Sequence, residues 1–189
     1  MDKKIYIKDI IEDKSQMISL ADMAKQDSHN FVNFENRIDN YLSYHTATYD
    51  GSVVAMAGIF QSNLWYPKFA RVLDRTYYFK EARSSTLSFL NEKKLKAIAS
   101  THFLPEQIDI CLNKNLVPWF SIQGVKRRPA MYRMIDRWNQ THEQKFMVLP
   151  KLYFTCNMKP NENIMCWQNV AILKVDGYGD FNLPSRPIK

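Results

Sequence analysis

The densest positive charge in the chain is Lys126-Arg127-Arg128, continued by Arg133 and Arg137. A second set, Arg71, Arg75, Lys80 and Arg83, falls between residues 71 and 83. Groups of this kind suit a polyanion, because phosphate contacts ask only for charge and reach. The pattern therefore does not choose between a phosphate-bearing small molecule and a nucleic-acid backbone. Trp119, Phe120, Tyr132 and Trp138 lie near the first cluster and can stack on bases, but their spacing equally suits the apolar face of a strand or helix. Two carboxylates, Asp74 and Glu81, are interleaved with the second cluster. They suit proton abstraction, or charge pairing with Arg71, Arg75 or Arg83.

The thiols and imidazoles point elsewhere. Cys111, Cys156 and Cys166 are odd in number with no C-x-x-C spacing, and His29, His45, His102 and His142 are scattered. Neither a disulfide framework nor a metal site is expected. No cysteine has a histidine and an acid beside it, so Cys111 and Cys166 are expected to be buried thiols.

Hydrophobic residues make up 46% and charged residues 24% of the 189, a globular balance that excludes a wholly disordered chain. At this length the core needs no covalent staple. Lys+Arg number 26 against 19 Asp+Glu, giving a net charge of +7. That excess points to an anionic ligand, nucleic acid or a membrane surface and is silent on fold. The opening MDKKIYIKDI lacks the apolar region of a signal peptide, and no run approaches the ~20 apolar residues of a membrane span. The expectation is a soluble, cytoplasmic protein without membrane association, with one domain over 1–175 and an irregular tail over 176–189.

The elements that must position these groups are legible in part. KIYIK (4–8) alternates as a short edge strand. Over 15–26, Met17, Leu20, Met23 and Ala24 share a helical face, with Ser15 placed to cap it. The spacing of Phe34, Ile38, Tyr41 and Leu42 predicts a second helix over 33–44. HTATY (45–49), Asp50-Gly51 and SVVAMAGIFQ (52–61) form a hairpin signature, since both central residues of a type I′ turn need positive φ. Gly58 inside the second of these strands marks a bulge or a close backbone approach. FARVLDRTYYF (69–79) is a long strand whose alternation places Arg71, Leu73, Arg75 and Tyr77 on one face and Val72, Asp74, Thr76 and Tyr78 on the other. Two arginines on one face argue against two dry faces. A helix follows over 84–100, another from Pro105, a short strand over 117–123 and a helix over 130–140 that groups Met131, Met134, Ile135 and Trp138. Two antiparallel strands over 146–156 and 164–175 end the ordered pattern. Strands and helices mix without strict alternation, so the fold class is α+β, a mixed and mostly antiparallel sheet with helices on both faces.

That element order resembles the GNAT superfamily of acyl-CoA N-acyltransferases over roughly residues 4–175. The Asp50-Gly51 hairpin stands where the family has its second and third strands, and SVVAMAGIF is similar to the family's third strand. The long fourth strand, with Phe79-Lys80-Glu81-Ala82-Arg83 and a helix after it, resembles the family's strand, turn and helix, with a basic residue opening the pyrophosphate loop. Ala130-Met131-Tyr132-Arg133-Met134 is similar to the segment in which the family's tyrosine serves as general acid. RVLDRTYYF with Arg83 also resembles acetyltransferase-like proteins of marine bacteriophages. The loop is degenerate: Arg83-Ser84-Ser85-Thr86-Leu87-Ser88 lacks both family glycines and offers hydroxyls in their place.

The resemblance implies an enzyme that transfers an acetyl group from acetyl-CoA to an amine whose identity the sequence does not reveal. It implies that backbone N–H groups near Tyr77, Tyr78 and Phe79 hold the thioester carbonyl. Arg83, Ser84, Ser85 and Thr86 would hold the pyrophosphate, and Arg127 and Arg128 the 3′-phosphate. Tyr132 would be the general acid, and Asp74 or Glu81 the base. The alternative is a non-catalytic basic protein on the same fold, binding nucleic acid or another polyanion.

Overall fold

A computed structural model of the chain describes residues 5–26, 31, 33–49, 51–61, 68–79, 98–122, 128–159 and 162–175. The helix expected over 84–100 lies outside them except at its end, and the tail over 176–189 lies outside them entirely. The chain folds as two compact units, Met1–Leu116 and Val117–Lys189.

In the first unit, β1 (Ile5–Ile11), β2 (Tyr41–Tyr49), β3 (Ser52–Phe60) and β4 (Phe69–Tyr78) pair in sequence order, each antiparallel to the next. The β2–β3 turn is the one expected: Tyr49 faces Ser52, and Gly51 has a φ of 78°, which its missing Cβ makes inexpensive. Successive strand residues point to opposite faces, and the sheet is covered on both. One face carries helix α1 (Lys14–Lys25) and buries Met17, Leu20, Ala21 and Ala24 against Phe31, Phe34, Tyr41, Tyr44, Met56, Tyr77 and Phe79. The other buries Ala47, Tyr49, Val54, Ala55 and Ala57 against Ile98, Ala99 and Phe103. Met23, expected in the core face of α1, is 51% exposed, and Ala21 takes its place. The α1 cap is Asp13 rather than Ser15: its carboxylate accepts the Gln16 N–H at 2.8 Å, and the Ser15 hydroxyl donates to that same carboxylate. Hydrogen bonds from Ser15 and from the Gln16 amide hold the Asp13 carboxyl below its usual range.

The second expected helix is a correction. Glu35–Asn40 is a 3₁₀ helix, and from Tyr41 the chain is already strand β2. The apolar spacing arises because β2 carries one extra residue between Tyr41 and Ser43 relative to β3, which brings Tyr41 and Tyr44 onto the same face. Helix α2 (Leu104–Asn113) carries Pro105 in its first turn, as expected, and is entered through a π-helical turn at Ala99–Phe103. Proline has no N–H to give and its ring crowds the carbonyl of the preceding turn, which accounts for the widened ladder there.

The second unit contains β5 (Val117–Ile122), helix α3 (Arg128–Thr141), β6 (Phe146–Lys159) and β7 (Glu162–Leu173), with strands in the order β5-β7-β6 and both pairings antiparallel. Its core gathers Phe120, Ile122, Ile135, Trp138, Phe146 and Val170 to Leu173. Met131 and Met134 are only half-buried.

Candidate functional site

Strand β4 is irregular where the sequence puts its charge. Between the pairs Arg71–Phe60 and Asp74–Gly58, β4 advances three residues while β3 advances two, and the same happens between Asp74–Gly58 and Tyr77–Met56. Each extra residue is a bulge, and Leu73 (φ 53°) and Arg75 (φ 48°) lie in the left-handed region on either side of Asp74. Side chains there cost on the order of 1–3 kcal/mol each and persist only where the surroundings enforce them. The bulges overturn the simple alternation. Asp74 joins Arg71 and Tyr77 on the α1 face, whereas Leu73 and Tyr78 pack on the other.

On the α1 face Asp74 is buried. Its carboxylate accepts the Tyr41 hydroxyl at 2.5 Å, with Arg71 Nη1 at 3.2 Å and Arg75 Nε at 4.0 Å. The Arg75 guanidinium lies over the Phe34 and Phe31 rings, 5.3 and 5.8 Å from their centroids. Both arginines of the strand are thus accommodated on a covered face, by a carboxylate and by aromatic rings. Burial, and then the Asp74 charge, push the Tyr41 and Tyr44 phenols well above their ordinary range. The glycine opposite Asp74 is required: a Cβ on Gly58 would stand 2.8 Å from the Tyr44 ring and 3.0 Å from that of Tyr41.

The opposite face has its own partner for the bulge. Gln107 of α2 is fully buried; its Oε1 accepts the Leu73 N–H at 2.7 Å and its Nε2 donates to the Ala57 carbonyl at 3.0 Å. One side-chain amide therefore ties β4 to β3 where the ladder is interrupted. His45 Nδ1 lies 3.3 Å from Gln107 Nε2, and His45 Nε2 lies 3.6 Å from Glu106 Oε2. Burial lowers the His45 pKa to about 4, so the ring is neutral at neutral pH. Cys111 is buried as expected, and burial pushes its thiol up to about 12. Sequence reasoning missed Gln107 and Tyr41. Gln107 had a signal: it sits at the buried phase of α2 with Leu104, Ile108 and Cys111.

In the second unit, α3 meets the sheet through Tyr132, Ile135, Trp138 and Asn139. Asn139 exchanges two hydrogen bonds with the Phe146 backbone, at 2.7 and 3.0 Å, and Trp138 Nε1 donates to the Gln144 carbonyl at 2.8 Å. These fix the helix against the start of β6. Tyr132 is then half-buried over β7, where Asn169 Nδ2 donates to its hydroxyl oxygen at 2.8 Å. The phenol proton is left to a further acceptor. Asn169, a polar residue in the apolar run NVAIL, was not anticipated.

Of the other expected site residues, Tyr77 and Phe79 are buried on the α1 face and Tyr78 is half-buried on the other. The Phe79 N–H donates to the Val54 carbonyl at 3.0 Å and so belongs to the β3 ladder. Lys80, Glu81, Arg83, Ser84, Ser85, Thr86, Lys126 and Arg127 lie outside the described residues. Arg128 opens α3, but its side chain lies outside them. Among the described residues, no His, Cys, Asp and Glu side chains gather as a metal site, and no helix is long and apolar enough to cross a membrane.

No protein-family model matches the sequence, and no curated protein matches it. Solved structures do match in fold. An IAA acetyltransferase from Bacillus cereus superposes with a TM-score of 0.52 at 12% identity, over 90% of this chain and 98% of that one. A diaminobutyrate acetyltransferase from Paenibacillus lautus, solved with L-2,4-diaminobutyric acid and coenzyme A, gives 0.50 at 10% identity over 90% and 95%. An acetyltransferase of the GNAT family from Streptococcus pneumoniae gives 0.50 at 9% identity over 90% and 100%. At these identities the likeness is one of fold, and the fold is that of the GNAT acetyltransferases.

Proposed function

We propose that the chain is an N-acyltransferase that moves an acetyl group from acetyl-CoA to an amine. The observation that carries this reading is β4, bulged twice around Asp74 and held in a left-handed conformation at Leu73 and Arg75, in a chain with an acetyltransferase fold. Bulges concentrate beside active sites because they re-aim backbone groups. An acyl transfer needs such groups to meet the oxygen on which charge develops.

In this reading the thioester carbonyl is received by the β4 backbone around Tyr78. Phe79 gives its N–H to Val54, and Tyr77, two residues earlier and opposite Met56, faces β3 in the same way. Arg83 with Ser84, Ser85 and Thr86 takes the pyrophosphate, and Arg127 and Arg128 take the 3′-phosphate. The amine nitrogen attacks the carbonyl carbon; the C–N bond forms, the C–S bond breaks and the thiolate leaves. Tyr132 gives its proton to that thiolate, and the Asn169 contact supports the role because it occupies the oxygen and leaves the proton available. The proton shed by the amine goes to a carboxylate. Glu81 is the base here, with Asp74 as the charge partner of Arg71 and Arg75.

The test is thermal denaturation with coenzyme A and with acetyl-CoA. Ligand at a hundredfold excess over its Kd stabilises the folded state by about 2.7 kcal/mol, several degrees in Tm for a chain of this size. The expected result is that rise in the wild type and its loss in Arg83→Ala. No shift with either ligand, together with salt-sensitive binding to DNA or RNA, would instead establish the reading as a basic binding protein, which the missing loop glycines favour.

A further inference from the structure

We infer that Gln107 is a positioning residue for the acyl carbonyl, acting through the bulge of β4; the inference rests on the acyltransferase reading. A twice-bulged strand has an obvious competitor, the same strand in continuous register with β3. What separates the two is the fate of the groups at the interruption. With no protein partner, the Leu73 N–H and the Ala57 carbonyl would favour closing the ladder and erasing the bulge, since buried backbone groups do not remain unpaired. Gln107 supplies one acceptor and one donor from a single planar amide, at 2.7 Å to Leu73 N and 3.0 Å to Ala57 O. It thereby fixes the spacing of the two strands while removing the incentive to re-register. Full burial and the neighbouring His45 ring keep the amide in place.

The opposite face holds the same bulge through Asp74, Tyr41 and the two arginines. That cluster grips a side chain, whereas Gln107 grips the backbone itself, so Gln107 governs where the next amides of β4 point. The second Gln107 bond reaches Ala57, which lies between Gly58 and Met56 opposite the second bulge. The amide therefore spans both interruptions, and a change of path there bears directly on the segment from Tyr77 to Tyr78 that in this reading receives the acetyl group. In this reading that segment meets the acetyl carbonyl, a group that free coenzyme A lacks.

The discriminating measurement is calorimetric affinity for acetyl-CoA and for coenzyme A in wild type and Gln107→Met, paired with amide hydrogen exchange at Leu73. The wild type is expected to prefer acetyl-CoA. Gln107→Met is expected to keep its coenzyme A affinity, lose roughly five- to tenfold of its preference for acetyl-CoA, in line with one hydrogen bond, and exchange Leu73 faster. A preference that survives faster exchange, or two affinities that fall in parallel, would overturn the inference while leaving the acyltransferase reading intact. A wild type that binds neither ligand would remove that reading, and this inference with it. Should Gln107→Met not fold, Gln107→Glu asks the same question through pH. Its protonated acid reproduces both bonds, and its carboxylate repels the Ala57 carbonyl. The preference is then expected at pH 5 and not at pH 8; a preference unchanged between the two would overturn the inference.

Discussion

Asp74 is the residue at which the sequence and the folded chain differ most usefully. Alternation along 69–79 separates it from Arg71 and Arg75, yet the folded strand sets it beside both and beneath the Tyr41 hydroxyl. A carboxylate so engaged is strongly coupled to its surroundings, and removing one partner of such a pair typically costs about 3–5 kcal/mol. Tyr132 is the simpler case, because its position on α3 and its half-buried setting follow from the periodicity that also buries Ile135 and Trp138. The Asn169 contact was not legible, since it joins residues far apart in sequence. His45 makes a prediction of its own. Its folded pKa of about 4 lies below the ordinary 6.5, so the unfolded chain takes up the proton first as pH falls. The stabilisation is present in full above about pH 6.5 and is lost progressively towards pH 4. Urea denaturation at pH 7 and pH 5 should show the wild type losing roughly 2 kcal/mol more than His45→Gln. Equal losses in the two proteins would show that the ring is protonated in the folded state, paired with Glu106 across the 3.6 Å gap.

At the scale of elements, what was legible was local. The Asp50-Gly51 hairpin, Pro105 in the first turn of α2 and the antiparallel pair that ends the second unit follow from turn chemistry and short-range pattern. What was not legible depended on partners distant in sequence. The residues of 33–44 carry a helical period, but pairing of Tyr41 with Phe60 decides for strand, a choice that short apolar runs leave open. The bulges of β4 are invisible in the strand's own residues because Gln107 and the aromatic face impose them. Gly58 was the exception, a glycine in a strand that does mark a bulge and a close approach. Gly58→Ala forces a methyl group against the Tyr44 and Tyr41 rings, and overpacking of this kind costs about 1–3 kcal/mol. Scanning calorimetry should record a Tm lower by roughly 2–10 °C. An unchanged Tm would mean that the rings do not rest on that glycine.

For the whole molecule, the question raised by the +7 charge has narrowed. Arg71 and Arg75 serve the interior of the first unit, through a carboxylate and two aromatic rings, and are not presented as a basic surface. The charge that remains for a polyanion is that of Lys80 and Arg83 and of the segment from Lys126 to Arg137. In the proposed reading these serve the phosphates of acetyl-CoA, with Tyr132 as the general acid. The most direct test is release of free coenzyme A thiol from acetyl-CoA in the presence of a panel of primary amines, with the acetylated product identified by mass spectrometry. The account predicts amine-dependent thiol release by the wild type, lowered about a hundredfold or more in Tyr132→Phe with no loss of acetyl-CoA binding. Acetyl-CoA bound without thiol release for any amine, or release unaltered in Tyr132→Phe, would contradict it.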